Sequence, residues 1–219
     1  MSLGSPARAS VLSGALVVAC ALAAGCTSET GGTANAVTPD SSPGTSSSAA
    51  GPTGSVPKVT TPLDVTKYEN DTCKLVPDDE LTRLKFTDPG EPRPRDSNPE
   101  NLSGPSCGWK IRGEGLSLLV ILGTGNRDAG AGGLAGIKAA YERPNGPYKF
   151  FEPAPDVEGY PAVYFDIRDR RAIGNCSMAI GVADDLAVSV FSEGYEGQQD
   201  SCDAAQGAAA AIVKTLKGA

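Results

Sequence analysis

The sequence contains no histidine, and aromatic residues make up only 5% of its 219 positions. Without histidine the chain has no His-ligated zinc, no Ser-His-Asp or Cys-His catalytic arrangement and no imidazole that titrates near neutral pH. Positive charge is also scarce, because 19 basic residues stand against 26 acidic ones and the formal net charge is −7. An acidic chain repels phosphate backbones, so we expect no nucleic-acid partner.

The first residues resemble an export signal. Arg8 is the one charged side chain among the first 28 residues, and an apolar run rich in small residues extends from Val11 to Ala24. A basic N-terminal region followed by a short apolar core is typical of a signal peptide, and an apolar run of this length is too short to cross a membrane readily. We therefore expect residues 1–25 to be removed on export.

The end of this run, Leu22-Ala-Ala-Gly-Cys26, resembles the lipobox of bacterial lipoproteins, in which the cysteine is lipidated and becomes the new N-terminus. We expect acyl chains on Cys26, which would hold the protein on the extracytoplasmic face of the cell membrane. Cys20 is the alternative acceptor, but it would leave apolar residues outside the signal.

A polar segment separates Cys26 from the rest of the chain. Of residues 27–62, 25 of 36 are Thr, Ser, Gly or Pro, and none is aromatic, Leu or Ile. Such a segment cannot bury enough apolar surface to offset its ordering entropy, so we predict a flexible tether over residues 26–62. Residues 63–219 have the size and the apolar runs of a single domain.

Within this domain, apolar periodicity and turn residues predict three helices and five strands. Two stretches, Pro89 to Pro105 and Gly123 to Gly133, are interpreted as loops because of their proline and glycine content. The order α-β-β-α-β-β-β-α favours an α+β fold, a mostly antiparallel sheet of about five strands with helices on one face. The predicted elements are a helix from about Pro77, strands at Cys107–Ile111 and Leu116–Leu122, a helix at Leu134–Glu142, strands at Tyr160–Ile167, Cys176–Val182 and Leu186–Phe191, and a helix at Ser201–Leu216.

Four cysteines remain after Cys20 and Cys26 are set aside, and three pairings are open to them. Their spacing matches no zinc motif, so an exported chain uses them most simply as disulfides. We expect Cys73 to pair with Cys107 and Cys176 with Cys202. Cys176 lies on the apolar face of its strand and Cys202 on the apolar stripe of its helix, so both point into one interface.

The flanks of these cysteines carry a resemblance. Four segments together resemble the bacterial lipoprotein domain-of-unknown-function family 3558. They are Cys73-Lys-Leu-Val before a short helix, Cys107-Gly-Trp109 after a proline-rich loop, a strand that begins at Cys176 and an alanine-rich helix with Cys202. The resemblance covers about residues 68–217 together with the lipobox and tether. It implies an envelope location and an architecture, and it carries over no catalytic residue.

Three features are candidates for chemistry. The Gly123–Gly133 stretch lies where phosphate-binding loops occur but does not complete their pattern, so we interpret it as a plain connection, with a mobile loop able to gate a pocket as the alternative. The basic cluster Arg168–Arg171 is a candidate contact for anionic lipid heads or a carboxylate ligand, although a solvated turn between strands is the simpler interpretation. Acid–base candidates are Asp166 with Asp169 and Asp184 with Asp185, all at predicted strand ends or turns, where solvated carboxylates are the simpler interpretation.

From these observations we expect a non-enzymatic envelope lipoprotein with no catalytic residue, cofactor or metal. Its expected partners are the membrane, through the acyl chains, and a small molecule, a lipid or an envelope protein at the domain. An accessory or sensory subunit of an envelope complex is one alternative. A hydrolase that uses carboxylates is another.

Overall fold

The computed structural model describes residues 55–95 and 103–218, which belong to one compact unit. The predicted signal peptide, Cys26 and residues 27–54 of the predicted tether lie outside the described residues. None of the described helices has the length and apolar character needed to cross a membrane. The helices are α1 (Asp78–Arg83), α2 (Thr124–Asp128), α3 (Gly133–Glu142) and α4 (Gln198–Lys217). The strands are β1 (Glu91–Arg93), β2 (Ser106–Lys110), β3 (Ser117–Leu122), β4 (Phe150–Val157), β5 (Tyr160–Asp166), β6 (Cys176–Ala183) and β7 (Leu186–Glu193).

The described strands form a single antiparallel sheet in the order β1-β2-β3-β7-β6-β5-β4. Strands β4 to β7 form a meander in which each strand pairs with the next, and β2 and β3 form a hairpin. The two groups meet where β3 pairs with β7 along six residues, from Ser117 opposite Glu193 to Leu122 opposite Val188. The α+β class and the antiparallel sheet are therefore confirmed.

The predicted count of about five strands is wrong, because the sheet has seven. The two additional strands, β1 and β4, are its edges, and both contain proline: Pro92 in β1, and Pro153 and Pro155 in β4. Proline has no N–H group to donate to a neighbouring strand, so a sheet accepts it at an edge, where one side is unpaired. The prolines around β1 made that segment resemble a loop in the sequence, and no element was predicted at β4.

The prediction of helices on one face is also wrong. Helix α4 packs on one face of the sheet, where Met178 and Ile180 of β6 are fully buried, whereas α3 packs on the other face through Leu134 and Ile137. Strand β6 carries Ser177, Ala179 and Gly181 toward α3, and a Cβ built on Gly181 would lie 3.2 Å from the Leu134 side chain. Because these residues are small, a helix can approach the second face closely.

Both disulfides have the expected pairing. Cys73 is bonded to Cys107 and Cys176 to Cys202. The first joins the segment before α1 to β2, and the second joins β6 to α4. Cys107 and Cys176 have no exposed surface, so each bond lies within the core beneath α4.

Ordered contacts begin earlier than the predicted tether boundary at residue 62. The Val59 N–H donates to Asp184 Oδ1 at 2.9 Å, and the Tyr160 hydroxyl donates to the Thr61 carbonyl at 2.9 Å. Val56 packs against the cluster beneath α3. Val56, Val59 and Thr61 therefore contact the folded domain.

Candidate functional site

The Gly123–Gly133 stretch packs its backbone against the turn between β6 and β7. A Cβ on Gly132 would lie 1.9 Å from the Asp185 carbonyl oxygen, and one on Gly133, whose φ is +69°, would lie 2.1 Å from that of Asp184. Part of the predicted loop is helical, as α2. The two glycines thus permit close packing at a turn, which is a different use from the cradling of a phosphate.

A cavity of about 90 Å³ lies between this stretch and the second face of the sheet. Three aromatic rings line it: Tyr148 meets Phe165 edge-on at 5.0 Å between centroids, and Phe165 meets Phe191 at 5.7 Å. Burial raises the pKa of the Tyr148 hydroxyl. The stretch that the sequence singled out therefore covers a small, partly open cavity.

The basic cluster is largely neutralised by neighbouring carboxylates. Arg170 contacts Asp166 at 3.0 Å and Glu193 at 3.2 Å. Arg171 bonds Asp169 at 2.8 Å, and its guanidinium lies over two aromatic rings. These two arginines therefore brace the loop between β5 and β6. Arg168 is exposed and makes no ion pair with any residue that the structure describes.

The four acid–base candidates are divided between two ends of the sheet. Asp166 is buried and accepts hydrogen bonds from the Ile167 N–H, Arg170 Nε and Ser177 Oγ, at 2.6, 3.0 and 3.0 Å. The bonds from Arg171 lower the pKa of Asp169.

At the opposite end, Asp184 accepts from the Val59 N–H and lies 3.8 Å from Lys58 Nζ, while Asp185 is exposed. Over residues 55–95 and 103–218, no group of three or more acidic, cysteine or histidine side chains is arranged to hold a metal ion.

A groove between α1 and α4 forms a concave surface that was not predicted from the sequence. It consists of two adjoining depressions of about 590 and 610 Å³ that share Arg83 and Asp203 in their walls. One depression extends to Leu116 after the β2–β3 turn, and the other to Lys214 near the end of α4. We call this surface the α1–α4 groove.

The charge of the α1–α4 groove is negative. Six carboxylates and three basic side chains line it. Among the described residues, no ion pair engages the carboxylates of Asp79, Glu114, Glu196 and Asp200. Arg83 is already engaged, because its Nε and Nη2 donate to Glu80 at 2.8 and 2.6 Å. The carboxylates therefore remain available to a basic group in the groove.

The middle of the groove depends on a glycine. A Cβ on Gly207 of α4 would lie 2.1 Å from Arg83 Nη2 and 2.7 Å from Glu80 Oε1. The ion pair on α1 therefore rests directly on the α4 backbone. Next to it, the Tyr195 hydroxyl is buried without a hydrogen-bond partner within the described part of the chain, and burial raises its pKa.

The family model described as Protein of unknown function (DUF3558) matches residues 21–215. No curated protein and no solved structure matches the chain significantly.

Proposed function

Because the chain belongs to the domain-of-unknown-function family 3558, we propose a role for it on the evidence of its own residues. It is a membrane-anchored extracytoplasmic lipoprotein. Its domain binds a ligand or partner protein in the α1–α4 groove and catalyses no reaction.

Two features support the anchoring. The segment Leu22–Cys26 resembles the lipobox, in which the cysteine is lipidated. The domain also has two buried disulfides, which persist in oxidising compartments outside the cytoplasm.

The 28 residues between Cys26 and Ser55 would give a flexible tether a mean reach of roughly 26–32 Å. That reach holds a domain clear of the lipid surface.

The α1–α4 groove is the observation that carries the binding role. Each of its two depressions has a volume within the range of ligand sites, and together they form a continuous surface on one side of the domain. The excess of carboxylates favours a partner or ligand that presents basic groups. The proposal that the domain catalyses no reaction rests on the acid–base candidates. Asp166 and Asp169 are each held by an arginine, and neither faces the other candidate pair, Asp184 and Asp185.

The anchoring is tested with two cysteine variants of the full chain expressed in a bacterial host. We expect the unmodified chain and Cys20→Ser to fractionate with membranes and to yield an acylated N-terminal cysteine in mass spectrometry. Cys26→Ser should be released or remain an uncleaved precursor. Equal membrane retention and acylation of the Cys26→Ser chain would contradict the proposed anchor.

Binding in the groove is tested by photo-crosslinking in intact cells. A crosslinking residue at Gln206, inside the groove, should give a discrete adduct, whereas the same residue at Glu142 on α3 is the matched control on the other face. Charge reversal by Glu196→Lys with Asp200→Lys should abolish the Gln206 adduct. An adduct that survives the reversal, or that forms equally from Glu142, would refute the groove as the binding surface.

A further inference from the structure

The cavity beneath α2 and α3 is lined without any charged side chain. It is separate from the α1–α4 groove, because it lies on the opposite face of the sheet. A charged ligand would lose its hydration there without gaining an opposite charge. A group that enters this cavity is therefore neutral.

Four polar side chains in the cavity wall are unused. The carboxamide of Asn126 and the hydroxyls of Ser103, Tyr148 and Ser189 make no hydrogen bond to any part of the chain that the structure describes. All four residues are half-buried, and their polar atoms are not among those sealed from solvent. Because hydroxyl and carboxamide groups both donate and accept, a complementary ligand offers a donor and an acceptor together.

The size of the cavity limits the ligand further. Its volume is about 90 Å³. An apolar cavity of about 150 Å³ takes up benzene, so a group of roughly four non-hydrogen atoms fits here. The aromatic wall formed by Tyr148, Phe165 and Phe191 favours a planar group with an apolar end.

We propose that this cavity binds a small neutral amide, either as a free molecule or as the acetamido group of a larger one. An amide is planar and neutral, and it carries one acceptor oxygen beside its N–H donors. The amide dipole would pair with the Asn126 carboxamide and the Ser189 hydroxyl, while the methyl end would lie against the aromatic wall. Because the lining residues are half-buried, the remainder of a larger molecule can stay outside.

The test is an NMR titration of the exported domain with acetamide, N-acetylglucosamine and acetate. We expect saturable shifts of amides in α2 and β7 with the first probe, at a Kd in the millimolar range. Acetate, which has nearly the same shape but a negative charge, should bind at least ten-fold more weakly. Tighter binding of N-acetylglucosamine would identify the acetamido group of a larger ligand, and equal or weaker binding would identify the free amide.

Three variants separate a site from surface adsorption. Ser189→Leu fills the cavity and should abolish the saturable shifts. Ser117→Leu is the matched control on the same sheet face outside the cavity, and it should leave them unchanged. Asn126→Asp, on the short helix α2, keeps the side-chain shape and should weaken acetamide binding at least ten-fold. Comparable binding of acetate, persistence of the shifts in Ser189→Leu, or absence of saturation with every probe would overturn the proposal.

Discussion

The contact between Gly207 and the Arg83–Glu80 ion pair predicts an unusual result for a glycine-to-alanine substitution. At an exposed position inside a helix, Gly→Ala stabilises by about 0.8–1 kcal/mol. At Gly207 the new methyl group would meet Arg83 Nη2 at 2.1 Å, so the ion pair must move away. The helical gain and the loss of the ion pair therefore oppose each other.

The loss is modest because the Arg83 side chain is 54% exposed. Ion pairs of this kind contribute about 0.2–1 kcal/mol. We therefore expect Gly207→Ala to raise the free energy of unfolding by only about 0.3 kcal/mol in the unmodified protein. In an Arg83→Ala background the guanidinium is gone, and the Glu80 carboxylate, which lies 2.7 Å from the same Cβ, is no longer held by Arg83 and can turn away. There the same substitution should raise the free energy of unfolding by about 1 kcal/mol.

The cycle consists of the unmodified protein, Gly207→Ala, Arg83→Ala and the double variant. Urea unfolding of these four proteins measures how far the effect of Gly207→Ala on the free energy of unfolding differs between the two backgrounds. Lys214→Ala supplies the control background, because Lys214 pairs with Glu158 and does not contact Gly207. In the Lys214→Ala background, Gly207→Ala should change the free energy of unfolding by the same amount as in the unmodified protein. If Gly207→Ala stabilises equally in all three backgrounds, the ion pair does not rest on α4 as described.

Three further predictions concern stability. Replacing Cys176 and Cys202 by alanine should lower the free energy of unfolding by about 3.5 kcal/mol, from the entropy of a 26-residue separation, and a loss below about 1 kcal/mol in urea unfolding would contradict this. Gly133→Ala should destabilise by at least about 1 kcal/mol in thermal unfolding because its φ is +69°, and an unchanged Tm would refute the strain. The hydrogen bonds from Arg171 depress the pKa of Asp169 below its ordinary value of 3.8. The stabilisation that Asp169 gives the folded state is therefore present above that pH and is lost as the pH falls through the pKa of Asp169 in the folded protein. Asp169→Asn should therefore lose less stability than the unmodified protein between pH 6 and pH 3, and parallel pH profiles would argue against this pairing.

The elements that were predicted well from the sequence are those with one strong periodic pattern. Strand β6 begins at Cys176 as expected, and α4 extends the predicted helix Ser201–Leu216 by three residues at its start and one at its end. In both elements alternate or helically spaced apolar side chains face a single core, so local pattern and tertiary environment agree.

The missed features depend on partners that are distant in sequence. Proline in β4 disfavours a strand locally, and only the neighbouring β5 shows that the segment is an edge. The α1–α4 groove is assembled from α1, the β2–β3 turn and α4, which are separated by tens of residues. No local pattern marks its carboxylates, because they resemble ordinary solvated side chains until the fold brings them together.

The order of the disulfides along the chain has a consequence for how the protein matures. Each bond joins cysteines that follow one another in sequence, since Cys73 pairs with Cys107 and Cys176 with Cys202. A chain that emerges from its N-terminus and is oxidised as it appears would make both bonds correctly, with no reshuffling. The pairing of β3 with β7 then closes the sheet only after residues 186–193 have emerged. We therefore expect both bonds to form with an oxidant alone, without an isomerase.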